Sequence, residues 1–285
     1  MNFRKLLVYV LFLSGSLTAQ SVDSLQIWGN VMLNDSSEVK RLDAEKNVSR
    51  IIDAILSKPT AWSERLDTVK SISCLISPDE AFRIITWNVP LADGTYSFYG
   101  RIEFKETKKF PHAVQVLTDQ SAEINKPTTK QLSADKWFGA LYYKIIRTTY
   151  KRKVYYTLLG WDGNTAFSNK KLIDVMTISD TRKINFGLPL FEETKGIKHR
   201  IIFEYAEKAI MSLRFIEKDG LIVFDHLSPT LPSMEGVFEM YAPDFTTDAY
   251  TFQKGKWRLI INYQAKNEKE NNPAIKKPER GLQPE

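Results

Sequence analysis

The sequence predicts a mainly β protein, built either as an antiparallel multi-stranded sandwich or as a propeller-like stack of hairpins, with a short N-terminal helical segment. The first observation is the stretch from residue 137 to residue 178. Three runs of β-branched and aromatic residues are separated there by a short basic turn at residues 150–153 and a tight Asp162-Gly163 turn. This order predicts an antiparallel meander.

The second observation is that the central runs of this meander are apolar on both faces. Leu141, Tyr143 and Ile145 fall on one face of a strand. Tyr142 and Ile146 fall on the other face of the same strand. This pattern favours strands buried between two layers over a sheet that packs on one side only.

The chain of 285 residues divides into four segments by composition. Residues 1–19 resemble a signal peptide, and residues 20–69 form a predicted N-terminal lead and helical segment. Residues 70–264 form the predicted antiparallel β domain. Residues 265–285 lose all periodicity and carry mixed charge, which predicts a disordered tail.

The predicted signal peptide has the three parts of a secretory leader. Arg4 and Lys5 supply positive charge, residues 6–13 are apolar, and residues 14–19 are small and polar. The apolar part is too short to span a bilayer, which takes about 20 residues. No later segment reaches that length, so we expect no transmembrane segment in the mature chain. The sequence therefore predicts an exported, soluble protein of periplasmic or secreted localisation.

Helical spacing is clearest from Val39 to Leu56, where apolar residues recur three and four positions apart. Pro59 ends this helix, and the apolar residues at 62–69 predict one or two further short helical turns. Residues 21–36 are predicted to form a short extended lead whose last residues can cap the helix.

From Lys70 onward the chain keeps the composition of strands and turns, and about thirteen strands can be placed. Outside the meander the predicted runs are SISCLIS, FRIITWN, TYSFYGRIEFK, HAVQVLT, KINF, HRIIFEYA, IMSLRFIE, LIVFDH, GVFEMY, DAYTFQ and KWRLIINY. Asp-Gly at 219–220 predicts a two-residue primed turn, and Lys-Gly at 254–255 joins the last two strands. The predicted loops are residues 119–136, 187–195 and 227–235.

Charge and cysteine content exclude several classes of protein. The net charge is +6, and the densest basic run, Lys151 to Lys153, lies at a hairpin tip. A nucleic-acid groove needs such a patch interleaved with exposed aromatic residues along one face, so no nucleic-acid partner is predicted. Cys74 is the only cysteine, which excludes an internal disulfide and indicates a buried, inert thiol.

Known catalytic signatures are absent from the sequence, and the three histidines lie far apart in the chain, so neither a zinc site nor a cofactor is predicted. Asp225 and His226 are the candidates for acid–base catalysis. Adjacent residues on a strand point to opposite faces, although the end of a strand could relax that rule. The alternative is a polar pair that binds the following loop.

Five residues are candidates for binding. Trp161, Asp162 and Asn164 surround one turn, and Asp244 and Asp248 lie in a second polar segment. Their oxygens could bind calcium, but a calcium loop needs six to eight oxygen ligands and the fuller Asp-rich pattern is missing. Hairpin turns explain the same residues, and no metal site is predicted.

The aromatic content of 12% admits a sugar-binding surface. Exported β proteins that bind sugars stack the sugar ring on exposed aromatic faces, and several tryptophans lie near predicted strand ends, namely Trp28, Trp137, Trp161 and Trp257. Aromatic residues are also favoured in strands and fill thick cores. The core interpretation is the preferred one.

Five motifs in the same order make the chain resemble a family of uncharacterised exported β-rich proteins of Bacteroidota-type bacteria. The motifs are SPDEAFRIITWN, YYTLLGWDGNTAFSNKKLIDV, RIIFEYAEKAIMSLRF, LIVFDHL and YAPDFTTDAYTFQKGKW. The resemblance covers most of residues 71–257. It implies an exported bacterial protein and implies no activity.

The leading functional hypothesis is a non-enzymatic binding or interaction protein of the cell envelope, whose partner is an envelope protein or a glycan. It rests on the predicted leader, the β content and the missing catalytic signatures. The alternatives are a hydrolase that acts on glycans or peptides through carboxylates, or a carbohydrate-binding module.

Overall fold

The computed structural model describes residues 22–193 and 196–264. The predicted leader at residues 1–19 and the predicted tail at residues 265–285 lie outside the described residues. Among the helices of the described part, none is long and apolar enough to cross a membrane.

Two helices form the N-terminal part, and we name them α1 (residues 22–34) and α2 (Glu38–Leu56). The helix predicted from Val39 to Leu56 is confirmed as α2. The prediction of an extended lead at 21–36 is wrong, because α1 is helical. Leu25 and Met32, seven residues apart, lie on the same face and are fully buried. This spacing was the signal that the sequence analysis missed.

Two short 3₁₀ turns follow at Ala61–Ser63 and Leu66–Thr68, as predicted. The remaining structure is a set of strands, numbered in chain order. They are β1 Ser73–Ile76, β2 Phe82–Pro90, β3 Tyr96–Phe104, β4 Ala113–Thr118, β5 Leu132–Ser133, β6 Leu141–Tyr150, β7 Lys153–Asp162, β8 Ser168–Ile178, β9 Ile184–Phe186, β10 Phe191–Glu193, β11 Gly196–Lys198, β12 Arg200–Ala206, β13 Leu213–Ile216, β14 Leu221–Pro229, β15 Tyr241–Gln253 and β16 Lys256–Ile260.

These strands form three sheets. Sheet I has the order β1-β2-β3-β4, and all its neighbours are antiparallel. Sheet II has the order β5-β9-β8-β7-β6, with β12 beside β8 as well, and contains the predicted meander β6-β7-β8. Sheet III has the order β11-β10-β16-β15-β14-β13 and is antiparallel except for the β10–β16 pair.

Successive side chains of a strand point to opposite faces of its sheet, and the cores that they join show how the sheets are layered. In β2, Ile85 and Trp87 pack on α1 and α2, while Phe82 and Ile84 face sheet II. In β7, Leu158 packs toward sheet I and its neighbour Leu159 toward sheet III. The order of layers is therefore helices, sheet I, sheet II and sheet III. The predicted β class is confirmed, and the architecture is sandwich-like.

Several local predictions differ from the structure. The connection after Asp162 runs through residues 163–167 and is longer than the tight turn expected. Ile216 pairs with Leu221, so the Asp-Gly turn belongs to a four-residue loop, whose Gly220 has a φ of +65°. The run GVFEMY contains a 3₁₀ turn at Phe238–Met240 in place of its expected strand.

Two hairpins have the two-residue turns that their strands predict. Tyr150 pairs with Lys153, and both residues between them have positive φ, +46° for Lys151 and +66° for Arg152. This pattern is that of a type I′ turn, whose twist matches that of the flanking strands. The turn at residues 254–255 also has two positive φ angles, +51° for Lys254 and +81° for Gly255, and this predicted connection is confirmed.

A buried ion pair ties sheet II to the loop beside it. Arg200 on β12 donates from Nε to Asp174 Oδ2 on β8 at 2.7 Å, and both residues are fully buried. The second Asp174 oxygen accepts the amides of Val175 and Gly187, and Arg200 Nη1 donates to the Pro127 carbonyl at 2.8 Å. Arg200 Nη2 lies 2.6 Å from Asp174 Oδ2 as well, so each buried charge is compensated by the other.

Candidate functional site

A cleft of about 470 Å³ lies where β3 of sheet I meets the β7–β8 connection of sheet II, and we call it the Asp162 cleft. The segment after β4 closes a further side. The residues that line it are Leu91, Thr95, Tyr96, Ser97, Phe98, Asp119, Gln120, Ser121, Ala122, Glu123, Phe138, Asp162, Asn164 and Lys170. Two of the residues predicted as binding candidates, Asp162 and Asn164, are therefore in one wall.

Asp162 is the last residue of β7, and only 7% of its surface is exposed. Its Oδ1 atom accepts the amide of Asn164 at 2.7 Å, which is a local turn contact. Burial raises the pKa of the Asp162 carboxyl above its ordinary value, and the amide of Asn164 and the charge of Lys170 partly oppose that effect. The protein thus holds a carboxyl group that resists ionisation in the wall of a cleft.

A polar network continues from Asp162 across three strands. The Lys170 ammonium donates to Asn164 Oδ1 and lies 3.8 Å from Glu204 Oε2. Asn164 Nδ2 and Ser168 Oγ both donate to Glu204 Oε1, at 2.9 and 2.8 Å. The network holds the Asn164 side chain and Lys170 in fixed positions at the cleft.

Strand register explains this cluster. Lys170 on β8 pairs with Asp162 on β7 and with Glu204 on β12, so a cation sits between two acids on neighbouring strands. Sequence reasoning missed Lys170 and Glu204. Opposite charges at strand positions were visible, but the order of the strands was not.

Asp119 lies in the opposite wall and has a structural role. Its Oδ1 atom accepts from the amide and hydroxyl of Ser121 at 2.9 and 2.6 Å and from the amide of Gly139 at 3.2 Å. Its Oδ2 atom accepts the amide of Phe98 at 3.2 Å. These bonds engage both oxygens of Asp119, so it organises the loop and does not form a free acid pair with Asp162.

The aromatic part of the cleft lining consists of Tyr96, Phe98 and Phe138. The Tyr96 ring lies edge-on to the Trp161 ring, with 5.4 Å between centroids and 77° between planes. It also lies over Gly163, where an added Cβ would be only 2.1 Å from the ring. Trp161, a predicted binding residue, is half-buried and supports Tyr96, which lines the cleft.

The other predicted residues lie in sheet III, on β14 and β15. The pairing of β14 with β15 changes register after Asp225, which pairs with Thr247, whereas Leu227 pairs with Pro243. His226 therefore faces a bulge of three residues, 244–246, on β15. The His226 Nδ1 atom lies 2.7 Å from Asp248 Oδ2, and Asp248 is buried. The structure therefore joins His226, a catalytic candidate, to Asp248, a binding candidate.

The remaining two candidates, Asp225 and Asp244, form hydrogen bonds with other parts of the protein. Asp225 Oδ2 accepts the amide of Ser212 at 2.7 Å, so Asp225 and His226 do not converge on one atom. Asp244 lies in the bulge and accepts from Ser228 Oγ at 2.9 Å. Hydrogen bonding by the Thr246 side chain, against a smaller effect of burial, holds the pKa of the Asp244 carboxyl below its usual range.

The structure bears on three further questions raised by the sequence. Trp137 and Trp257 are fully buried, so neither can belong to an exposed sugar platform. Among the described residues, no three His, Cys, Asp or Glu side chains stand close enough to hold a metal ion. Burial raises the pKa of the Cys74 thiol to about 11, which keeps it protonated and inert at neutral pH.

Comparison of the chain with protein-family models, curated proteins and solved structures finds no match.

The raised pKa of Asp162 predicts a pH-dependent effect of Asp162→Asn. The folded state holds the Asp162 proton more tightly than the unfolded state, so ionisation at neutral pH lowers stability. The amide side chain that replaces the carboxyl can still accept the turn amide. We expect the variant to unfold at higher urea concentration than the parent at pH 7, and the gain to vanish as pH falls below about 3.9, the ordinary pKa of aspartate.

The control for that comparison is Asp93→Asn. Hydrogen bonds from Thr95 lower the pKa of the exposed Asp93 carboxyl, so its ionised form is favoured in the folded state. This control should gain no stability at pH 7. Equal gains for both variants, or a gain for Asp162→Asn that persists at pH 3, would contradict the account of Asp162.

Proposed function

We propose that this protein is an exported, non-enzymatic binding protein of the bacterial cell envelope, and that the Asp162 cleft is its ligand site. The observation that carries the proposal is a buried carboxyl of raised pKa in the wall of a cleft that also presents an aromatic ring and a lysine. Perturbed ionisable groups in a cleft are typical of functional sites.

The size and lining of the cleft support a small ligand. A volume of about 470 Å³ falls within the usual range for ligand pockets. Apolar contact comes from Tyr96, Phe98 and Phe138, and the polar atoms around them include both donors and acceptors. A sugar ring has an apolar face and a rim of hydroxyl groups, and it matches such a lining.

Binding fits this cleft better than hydrolysis. Glycoside hydrolysis generally uses two carboxyl groups on opposite sides of the scissile bond. Asp162 could supply one of them, but both oxygens of Asp119 already accept hydrogen bonds from the protein, and the other lining carboxylate, Glu123, is exposed on the 3₁₀ turn at Ser121–Glu123. We therefore infer a neutral envelope glycan as the ligand. The predicted leader and the resemblance to exported bacterial proteins support the location.

A glycan array tests the proposal. We expect the purified protein to bind a subset of neutral glycans, and Tyr96→Ala together with Asp162→Leu to weaken binding at least tenfold, because they remove the ring and the polar anchor. Asp135→Asn is the matched control, since Asp135 is exposed and outside the cleft. Unchanged binding by the cleft variant, or no binding of the parent to any neutral glycan, would refute the proposal.

The second candidate function is hydrolysis at the His226–Asp248 pair. The buried Asp248 carboxylate orients the imidazole through Nδ1, which leaves Nε2 of the half-exposed ring available to take a proton from water. Such an orienting acid is the usual partner of a general base. Phe245, fully exposed with a φ of +70°, lies in the same bulge.

Release of reducing ends or amines from envelope glycans and peptides tests this second candidate. We expect His226→Ala to reduce any such activity at least a hundredfold, because the proton acceptor is lost. His199→Ala is the control, since its Nδ1 atom lies 2.8 Å from the carbonyl of Gly187, the residue after β9. Equal activity of the His226 variant and the parent would exclude this role for His226.

A further inference from the structure

A second cleft, of about 840 Å³, lies at the opposite end of the interface between sheets I and II. We call it the basic cleft. Its lining residues are Ala81, Phe104, Thr107, Phe110, Arg152, Lys153, Val154, Tyr155, Tyr156, Thr177, Ile178, Ser179, Asp180, Arg182, Asn185 and Leu188. None of these residues lines the Asp162 cleft.

Three turns that are far apart in the sequence meet at this cleft. They are residues 106–110 after β3, residues 151–153 at the tip of the β6–β7 hairpin, and residues 180–183 between β8 and β9. Together they carry seven lysines and arginines and two carboxylates. Asp180 is the only acidic residue among the lining residues that the structure describes. The sequence showed only one of these turns as a basic run.

One of the cations holds the wall of the cleft in place. The Arg182 guanidinium lies over the rings of Phe104 and Phe110, at 5.1 and 5.2 Å from their centroids. Its Nη2 atom also donates to the carbonyl of Lys105 at 2.9 Å. These contacts attach the turn at 180–183 to the loop after β3, so two of the basic turns are fixed relative to each other.

The other basic side chains at the cleft are not neutralised. Two of the cations that line the cleft are Arg152 and Lys153, whose side chains make no hydrogen bond or ion pair within the described ranges. Like charges brought together in this way raise the local potential, and a concave surface with low-dielectric walls increases that effect. The cleft therefore attracts anions.

The floor of the cleft is apolar. Phe104, Tyr156 and the half-buried Ile178 pack between sheets I and II and form this floor, whereas Tyr155 and Leu188 line the cleft from the side of sheet III. A bare inorganic anion has no apolar surface with which to contact that floor. A ligand that carries anionic groups on a ring with an apolar face would contact both the cations and the floor.

We propose that the basic cleft is a second binding site, and that it takes a small anionic saccharide, a sugar bearing carboxylate or phosphate groups. The arginine and lysine side chains bind the anionic groups, and the aromatic floor contacts the ring. This site is independent of the Asp162 cleft, and failure of either proposal leaves the other standing.

Isothermal titration at low salt tests the proposal with trigalacturonate as the carboxylate arm and glucose 6-phosphate as the phosphate arm. Maltotriose serves as the neutral sugar. We expect at least one anionic sugar to bind at least tenfold more tightly than maltotriose, and its affinity to fall as ionic strength rises. The arm that binds identifies the anionic group.

Arg152→Glu with Lys153→Glu should weaken that binding at least tenfold. The control with the same change in net charge is Lys208→Glu with Arg214→Glu, two exposed residues outside the cleft, and it should bind as the parent does. Binding of neither anionic sugar, equal loss in both variants, or tighter binding of a short oligothymidylate than of either sugar would overturn the proposal.

Discussion

The structure depends on the burial of sheet II on both faces. Its strands are apolar at successive positions, so one face needs the cover of sheet I and the other needs the cover of sheet III. Sheet I in turn presents its outer face to α1 and α2, which cover Ile85 and Trp87. Each layer covers an apolar face of the neighbouring layer and so removes that face from water.

This stacking also places the two clefts. The apolar core fills the middle of the interface between sheets I and II, and the clefts lie at its two ends, where the strands give way to turns. Turns carry polar and charged residues, because their backbone is not fully paired. Asp162 lies at one end of β7, and Lys153 lies at the other. A single strand therefore connects a cleft with a buried acid to a cleft surrounded by cations.

More of this fold could be predicted from local sequence periodicity than from the pairing of strands that are distant in the chain. The meander and α2 follow from periodicity within a short window, whereas α1 was missed although Val22, Leu25, Trp28 and Met32 recur three and four positions apart. Asp162 and Asn164 were candidates because a turn is visible in sequence. Lys170, Glu204 and Tyr96 could not be placed, because their proximity depends on the order and register of strands that are distant in the chain. The same holds for the pairing of His226 with Asp248.

The two neighbouring leucines of β7 test the two-sided burial most directly. Leu158 and Leu159 are both fully buried and face different layers. If sheet II is the middle layer, Leu158→Ala and Leu159→Ala should each lower the free energy of unfolding by about 2–5 kcal/mol, measured by urea denaturation. A loss below about 1 kcal/mol for either variant would mean that one face of sheet II is open to solvent, and would contradict the layered structure.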